Sequence, residues 1–406
     1  MDILYFILDV LQYLLIAYFG MSSLYFFVFA LASVFSHKLK KQNTEKENRF
    51  CVLIPAYKED NIIVSIAEDA LKQKYPKDKY DVYVIADSLN AQTVQNLRNI
   101  PVQTIEVSFD ISTKSKALNT ALEQIPEIYN IAIVLDADNL MEPEFLSKMN
   151  RAFSKGIIAV QGHRIAKNTN TTFALLDAIS EEINNNIFRK GQRNIGFSAA
   201  LIGSAMGFDF MTFKKVMKDI NAVGGFDKQL ELKLIKQNIR IQYLQDAYVL
   251  DEKIQDSTQF SNQRRRWLYA QFYYLRKDFF ISFWYFVSKG NIDYFNKAFQ
   301  FIQLPRILML GILVIGSFIN LILGITPFMY IWSVFLLMAI MGFMFAVPAK
   351  HYNINTLKAL ISLPKGFYLM FKVLLKLKGA NTKFIHTEHS IKTVDDSAFD
   401  NKNKQL

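Results

Sequence analysis

Residues 3–35 form an apolar run that carries no charge except Asp9. A spanning helix needs about 20 apolar residues, so the run predicts one long or tilted transmembrane helix. A secretory leader fits less well, because the run is too long, lacks a basic start and shows no small-residue cleavage pattern. From residue 50 to about 250 the pattern changes to short β-rich runs, FCVLIP, DVYVIAD, VQTIEV, IAIVLDAD and IIAVQG, separated by amphipathic stretches. This alternation predicts an α/β domain with a mainly parallel sheet. In one such stretch Ile62, Ile63, Ile66, Ala70 and Leu71 share a helical face behind Asp60, a residue suited to cap that helix.

Beyond Trp267 the chain becomes aromatic and basic, with Tyr269, Arg276, Lys277, Phe279, Phe280 and Trp284, which suits a helix in the headgroup region. Two apolar runs, 307–325 and 328–347, meet at a turn near Pro327 and predict a helical hairpin. Leu357, Ile361, Phe367 and Leu369 then offer the apolar face of a second interfacial helix. The expected organisation is a transmembrane helix (1–36), a cytosolic domain (37–268), an interfacial segment (269–303), a transmembrane hairpin (304–348), an amphipathic segment (349–390) and a polar, disordered tail (391–406). About three transmembrane helices follow from it.

A hydrophobic fraction of 51% beside 20% charged residues agrees with a part-membrane, part-soluble protein. A chain of 406 residues has room for one sizeable core plus such attachments. The net charge of +11 does not require a nucleic-acid partner, because the basic residues gather beside the apolar runs. Lys38, Lys40, Lys41, Lys46 and Arg49 follow the first run, and Lys350, Lys358, Lys365, Lys372, Lys376 and Lys378 follow the hairpin. Membrane lipids and the positive-inside rule account for them and place the α/β domain in the cytoplasm of a multi-pass cell-membrane protein. Cys51 is the sole cysteine, so no intramolecular disulfide forms, and its run reads as core.

Open α/β sheets place ligands at the carboxyl ends of their strands. Three such ends carry notable groups here: IPAYKED, Asp87 and LDADN, the last with Asp136 and Asp138. Two residues apart on an extended strand, these carboxylates point to the same side and can aim at one ligand. A hard cation such as Mg²⁺ takes one or two carboxylates with phosphate oxygens and water, a ligand set that Asp138 and a diphosphate supply. Lys114, at the start of a helix in TKSKALNTAL, can add charge to a pyrophosphate. In QRRRW, Arg266 offers a planar fork for phosphate and Trp267 a stacking platform. By itself each motif is compatible with a solvated loop, a surface lysine or a juxtamembrane basic patch. HTEH, with His386 and His389, has zinc-like spacing but no further ligands nearby in sequence.

Taken in order, IPAYKED, VIAD, KSKALN, LDAD, VQG, GGFDKQLEL and QRRRW across residues 50–270 resemble the inverting family-two glycosyltransferases. The likeness is to the membrane synthases of the cellulose, hyaluronan and poly-N-acetylglucosamine type. The resemblance implies a nucleotide-sugar-binding, GT-A-like fold, a UDP-sugar donor, a divalent metal (Mg²⁺ or Mn²⁺) and direct displacement that forms a β-linkage. It implies that Tyr57, Glu59, Asp87 and Asp136 hold the nucleoside, Asp138 the metal, and Lys114 the diphosphate. Gln263, Arg266 and Trp267 would close over the nucleotide or meet the acceptor sugar.

One departure concerns the base. Aligning LELKL with the family's Glu-Asp pair puts Lys228 and Gln229 at those positions, leaving Glu231 and, after it, Asp227 as the carboxylates to consider. Asn139 also departs from the residue that usually follows the Asp-x-Asp. The expected acceptor is a growing polysaccharide or glycan, with a homo-oligomer or an accessory export protein as possible partners. A single-transfer enzyme with a lipid acceptor and a degenerate nucleotide-sugar-binding protein are the alternatives.

Overall fold

A computed structural model describes residues 2–35, 46–377 and 391. Lys38, Lys40, Lys41, Lys378, His386, His389 and the remaining tail lie outside the described residues. The strands are β1 (Phe50–Tyr57), β2 (Tyr80–Asp87), β3 (Gln103–Val107), β4 (Ile131–Val134), β5 (Leu140–Met141), β6 (Ala159–Ala166), β7 (Met206–Asp209) and β8 (Ile241–Asp251). They form one sheet in the order β3-β2-β1-β4-β7-β6-β8-β5. β1, β2, β3 and β4 are mutually parallel, as are β6 and β8. β7 runs antiparallel between β4 and β6, and β5 antiparallel to β8. The sheet is therefore mixed but mostly parallel.

The continuous apolar runs are explained by burial on both faces. Cys51, Leu53, Ile85 and Val134 pack on one side with Leu118 and Ala121 of the helix Lys114–Gln124. Phe50, Val52, Ile54 and Ile133 pack on the other with Ile63 and Ala67 of the helix Ile63–Ala70. That helix lacks the expected cap: Ile62 precedes it with no side-chain cap bond, and Asp60 Oδ1 instead accepts from Asn90 N at 2.8 Å. Asp60 ties the ends of two βα units together.

Among the described residues, two helices are long and apolar enough to cross a membrane: Phe6–Val34, within the helix Asp2–Val34, and Thr326–Ala346. The third expected span is shorter. The helix Arg306–Ile322 has 17 residues and is followed by Gly324, whose φ of 64° turns the chain out of helical geometry before residue 325. The three helices share a core that includes Phe19, Phe26, Met309, Leu313 and Trp332.

This bundle is fastened to the α/β domain. A Cβ on Gly191 would lie 2.0 Å from Phe29 O, so only glycine permits that approach. Tyr25 Oη donates to Asn296 Oδ1 at 3.0 Å and accepts from Gln192 Nε2 at 2.8 Å. A single helix, Ser257–Lys289, is capped by Asp256 and carries QRRRW in its second and third turns. It runs unbroken past Trp267 into the aromatic, basic segment, where Phe280 and Trp284 are exposed. Ile354–Leu360 and Leu363–Leu375 follow the bundle with Leu357, Ile361 and Leu375 exposed.

Candidate active site

The strand ends converge on a cavity of about 650 Å³. At the end of β1, Tyr57 and Glu59 line it; at the end of β2, Asp87 does. Asp87 Oδ1 accepts from Ser88 Oγ and Ser112 Oγ, both at 3.0 Å, which fixes the carboxylate in place. Lys58 and Ser88 adopt φ of 57° and 58°, a left-handed geometry rare outside glycine. Strain of this kind concentrates where a backbone is held for ligand contact.

Past β4, Asp136 and Asp138 enter the same cavity, and Asp251 at the end of β8 joins them. One carboxylate oxygen from each of the three lies within 4.8 Å of the others. Asp138 is 3% exposed; its Oδ2 accepts from Glu252 N at 2.8 Å and its Oδ1 from Asn139 Nδ2 at 3.1 Å. Asn139 Nδ2 also donates to Asp251 Oδ1 at 3.2 Å, so one amide orients two of the three carboxylates.

Lys114, Arg164 and Lys253 offset the cluster's negative charge. Lys114 pairs with Asp136 and donates to Gly203 O at 2.7 Å. Arg164 Nη1 lies 3.3 Å from Asp251 and 3.7 Å from Asp136, while its Nε donates to Glu181 at 2.7 Å. Lys253 Nζ stands 2.7 Å from Asp251 and pairs with Glu181. Burial works against the Lys253 ammonium, but Asp251 and Glu181 outweigh it and hold its pKa above the ordinary lysine range. Clustered, oriented carboxylates with all-oxygen chemistry are the donor set that Mg²⁺ or Mn²⁺ prefers.

Asp251, Arg164 and Lys253 were not singled out in the sequence. A signal existed: IQYLQDAYVLD is a β-rich run ending in an acid, the same feature that marked LDAD.

Gln263, Arg266 and Trp267 form the far wall of the cavity, on the helix Ser257–Lys289. Burial pulls the Arg266 guanidinium below its ordinary pKa. Arg264 stacks on Trp267, with its guanidinium carbon 4.5 Å from the ring centre, and pairs with Asp177.

The two carboxylates considered as base part company. Asp227 lines the cavity, 3.8 Å from Lys228 Nζ. Glu231 does not line it: the side chain is 1% exposed, ion-paired to Lys297 at 2.6 Å, and accepts from Leu201 N at 3.1 Å. Burial raises the Glu231 pKa.

A mixed sheet with an acidic cluster at its strand ends defines a GT-A-like glycosyltransferase fold. Residues 48–270, more than half of the chain, match the family Glycosyltransferase like family 2, and the chain belongs to it. The protein is a glycosyltransferase. No curated protein matches it in sequence. Among solved structures it is similar to the mannosyltransferase PcManGT from Pyrobaculum calidifontis in complex with GDP-Man and Mn²⁺. That match has TM-score 0.53 and 15% identity and covers 83% of this chain and 99% of that one, a likeness of fold. Weaker matches include S. aureus TarS (TM-score 0.36, 18% identity, 53% of this chain and 38% of that one). Glucosyl-3-phosphoglycerate synthase from Mycobacterium tuberculosis in complex with Mn²⁺, UDP and glucosyl-3-phosphoglycerate matches at TM-score 0.37 and 14% identity, over 55% of this chain and 79% of that one.

Proposed function

We propose that the protein is a membrane-bound, inverting glycosyltransferase that transfers sugar from a nucleotide donor to a glycan or lipid-linked acceptor at the cytoplasmic face of the cell membrane. The observation that carries this reading is the meeting of the three strand-end acids and the QRRRW wall in one cavity. Two membrane-length helices and the exposed aromatics of the neighbouring helices support the membrane part.

In this reading Tyr57, Glu59 and Asp87 hold the nucleoside and Asp136 the ribose. Asp138 and Asp251, with Asp136 beside them, would hold a divalent cation, Mg²⁺ or Mn²⁺, which when bound neutralises the charge of a departing diphosphate. Lys114 lies beside that diphosphate. Gln263, Arg266 and Trp267 close the pocket and offer a platform to the acceptor sugar. Asp227 takes the proton of an acceptor hydroxyl, because it faces the cavity whereas Glu231 is locked to Lys297. The attack then proceeds directly on the anomeric carbon and gives a β-linkage. A UDP-sugar is the donor we expect, with GDP-mannose the competitor to test.

The test is nucleoside diphosphate release from a panel of UDP-sugars and GDP-mannose by detergent-purified protein, with Mg²⁺, Mn²⁺ or EDTA. Metal-dependent release from one donor, lost in Asp138→Ala, is the expected result. Release that ignores EDTA and the substitution would overturn the assignment.

A further inference from the structure

Behind the catalytic cavity lies a second, larger chamber of about 1310 Å³. Its walls come from the helix Arg306–Ile322, the helix Thr326–Ala346 and the amphipathic helices after them, with Leu310, Ile340, Phe343, Leu360 and Met370 among the lining. Ordinary small-molecule pockets reach roughly 300–1,000 Å³, so the chamber has room for a long chain. Trp267, Arg264 and Gln271 line both spaces, so the two adjoin at QRRRW.

The neck between them is polar and under-paired. Arg306 lines the chamber and donates through Nη2 to Ser180 O at 2.9 Å and to Ser180 Oγ at 2.8 Å, while its Nη1 has no hydrogen-bond partner among the described residues. Among the described residues no carboxylate pairs with Arg306. Arg264 Nε likewise has no partner among the described residues, and neither do the side-chain polar atoms of Gln303, a residue 4% exposed. Donors left unpaired at the mouth of an apolar chamber are costly unless an anion meets them. An anionic group with a hydrocarbon chain behind it satisfies both halves of this site.

We infer that the chamber holds the hydrocarbon chain of a lipid phosphate that carries the acceptor sugar, with the phosphate at Arg306, Arg264 and Gln303. The proposal rests on the glycosyltransferase reading above and names its acceptor. The lipid-borne sugar reaches past Trp267 into the catalytic cavity. One of its hydroxyl oxygens bonds to the donor's anomeric carbon as its proton passes to Asp227. The bond from that carbon to the diphosphate oxygen breaks, and its electron pair leaves with the nucleoside diphosphate.

The test uses the full chain in detergent with a photo-crosslinkable long-chain polyprenyl phosphate, the matching polyprenol and a short soluble alkyl phosphate. Crosslinking is read by peptide mapping, and donor turnover is followed in parallel. The long-chain phosphate is expected to label chamber residues at least about tenfold better than either control, since a charge-assisted contact and the apolar chain both contribute. Arg306→Gln is expected to weaken labelling about tenfold while the donor KM stays unchanged. Leu310→Trp, which fills the chamber and leaves the neck intact, is expected to weaken it too. Equal labelling by the polyprenol, crosslinks outside the chamber, or labelling indifferent to both substitutions overturns the proposal. Donor turnover without lipid-phosphate binding overturns the proposal alone. Lipid-phosphate binding without turnover of any donor supports the chamber assignment and overturns the transferase reading.

Discussion

Glu231 Oε1 stands 2.6 Å from Lys297 Nζ, joining the helix Phe226–Lys236 to the helix Ile292–Gln300, with Lys297 lining the catalytic cavity and Glu231 behind it. Removing one member of such a buried pair leaves the other without a counter-charge, at a cost of about 3–5 kcal/mol. Glu231→Gln is therefore expected to lower the thermal unfolding midpoint strongly, and Glu231→Gln with Lys297→Met to recover most of the loss. A Glu231→Gln protein of wild-type stability with kcat abolished would instead mark Glu231 as the base.

Asp251 makes a prediction that the Asp-x-Asp motif alone does not. Asp251→Asn is expected to weaken Mn²⁺ binding by about 10–100-fold and to lower donor turnover by about 10²–10³-fold. Mn²⁺ titration of nucleotide release, beside Asp138→Ala, measures both. An unchanged Mn²⁺ requirement would remove Asp251 from the metal site.

Gly191 is where the first helix meets the α/β domain. Since a Cβ there would fall 2.0 Å from Phe29 O, Gly191→Ala must push backbone away from backbone. The expected destabilisation is about 1–3 kcal/mol, the usual range for overpacking. It is read as a drop in the unfolding midpoint in detergent, with no change in Mn²⁺ affinity.

Acid should loosen the protein through Glu182. His163 Nε2 lies 3.0 Å and Lys350 Nζ 2.7 Å from this carboxylate. Burial alone would raise its pKa, but the contacts with His163 and Lys350 outweigh it and hold the group well below the usual carboxylate range. The unfolded chain then binds the proton more readily, so the stabilisation is full above the unfolded pKa of about 4.3 and is lost as pH falls below it. Unfolding midpoints measured from pH 6 to pH 3 should fall in the wild type and fall less in Glu182→Gln.

By itself the sequence recorded what local periodicity carries: β1 to β4 and β6, the helices between them, and three apolar runs, of which two are helices of membrane-crossing length among the described residues. It also identified the acids at three strand ends, because an Asp closing a β-rich run needs no knowledge of its neighbours. Only the tertiary structure decided which ends meet. β7 enters the sheet antiparallel between β4 and β6, and β8 then pairs with β6, which delivers Asp251 from more than a hundred residues away to Asp136 and Asp138. The same long-range packing turned Glu231 toward Lys297 and left Asp227 facing the cavity, although both lie on one short helix. It also set Arg306 beside Ser180 at the neck of the apolar chamber. Side-chain pattern reports whether a residue is buried; the partner it meets there depends on sheet order and helix packing, which link positions that no local window contains.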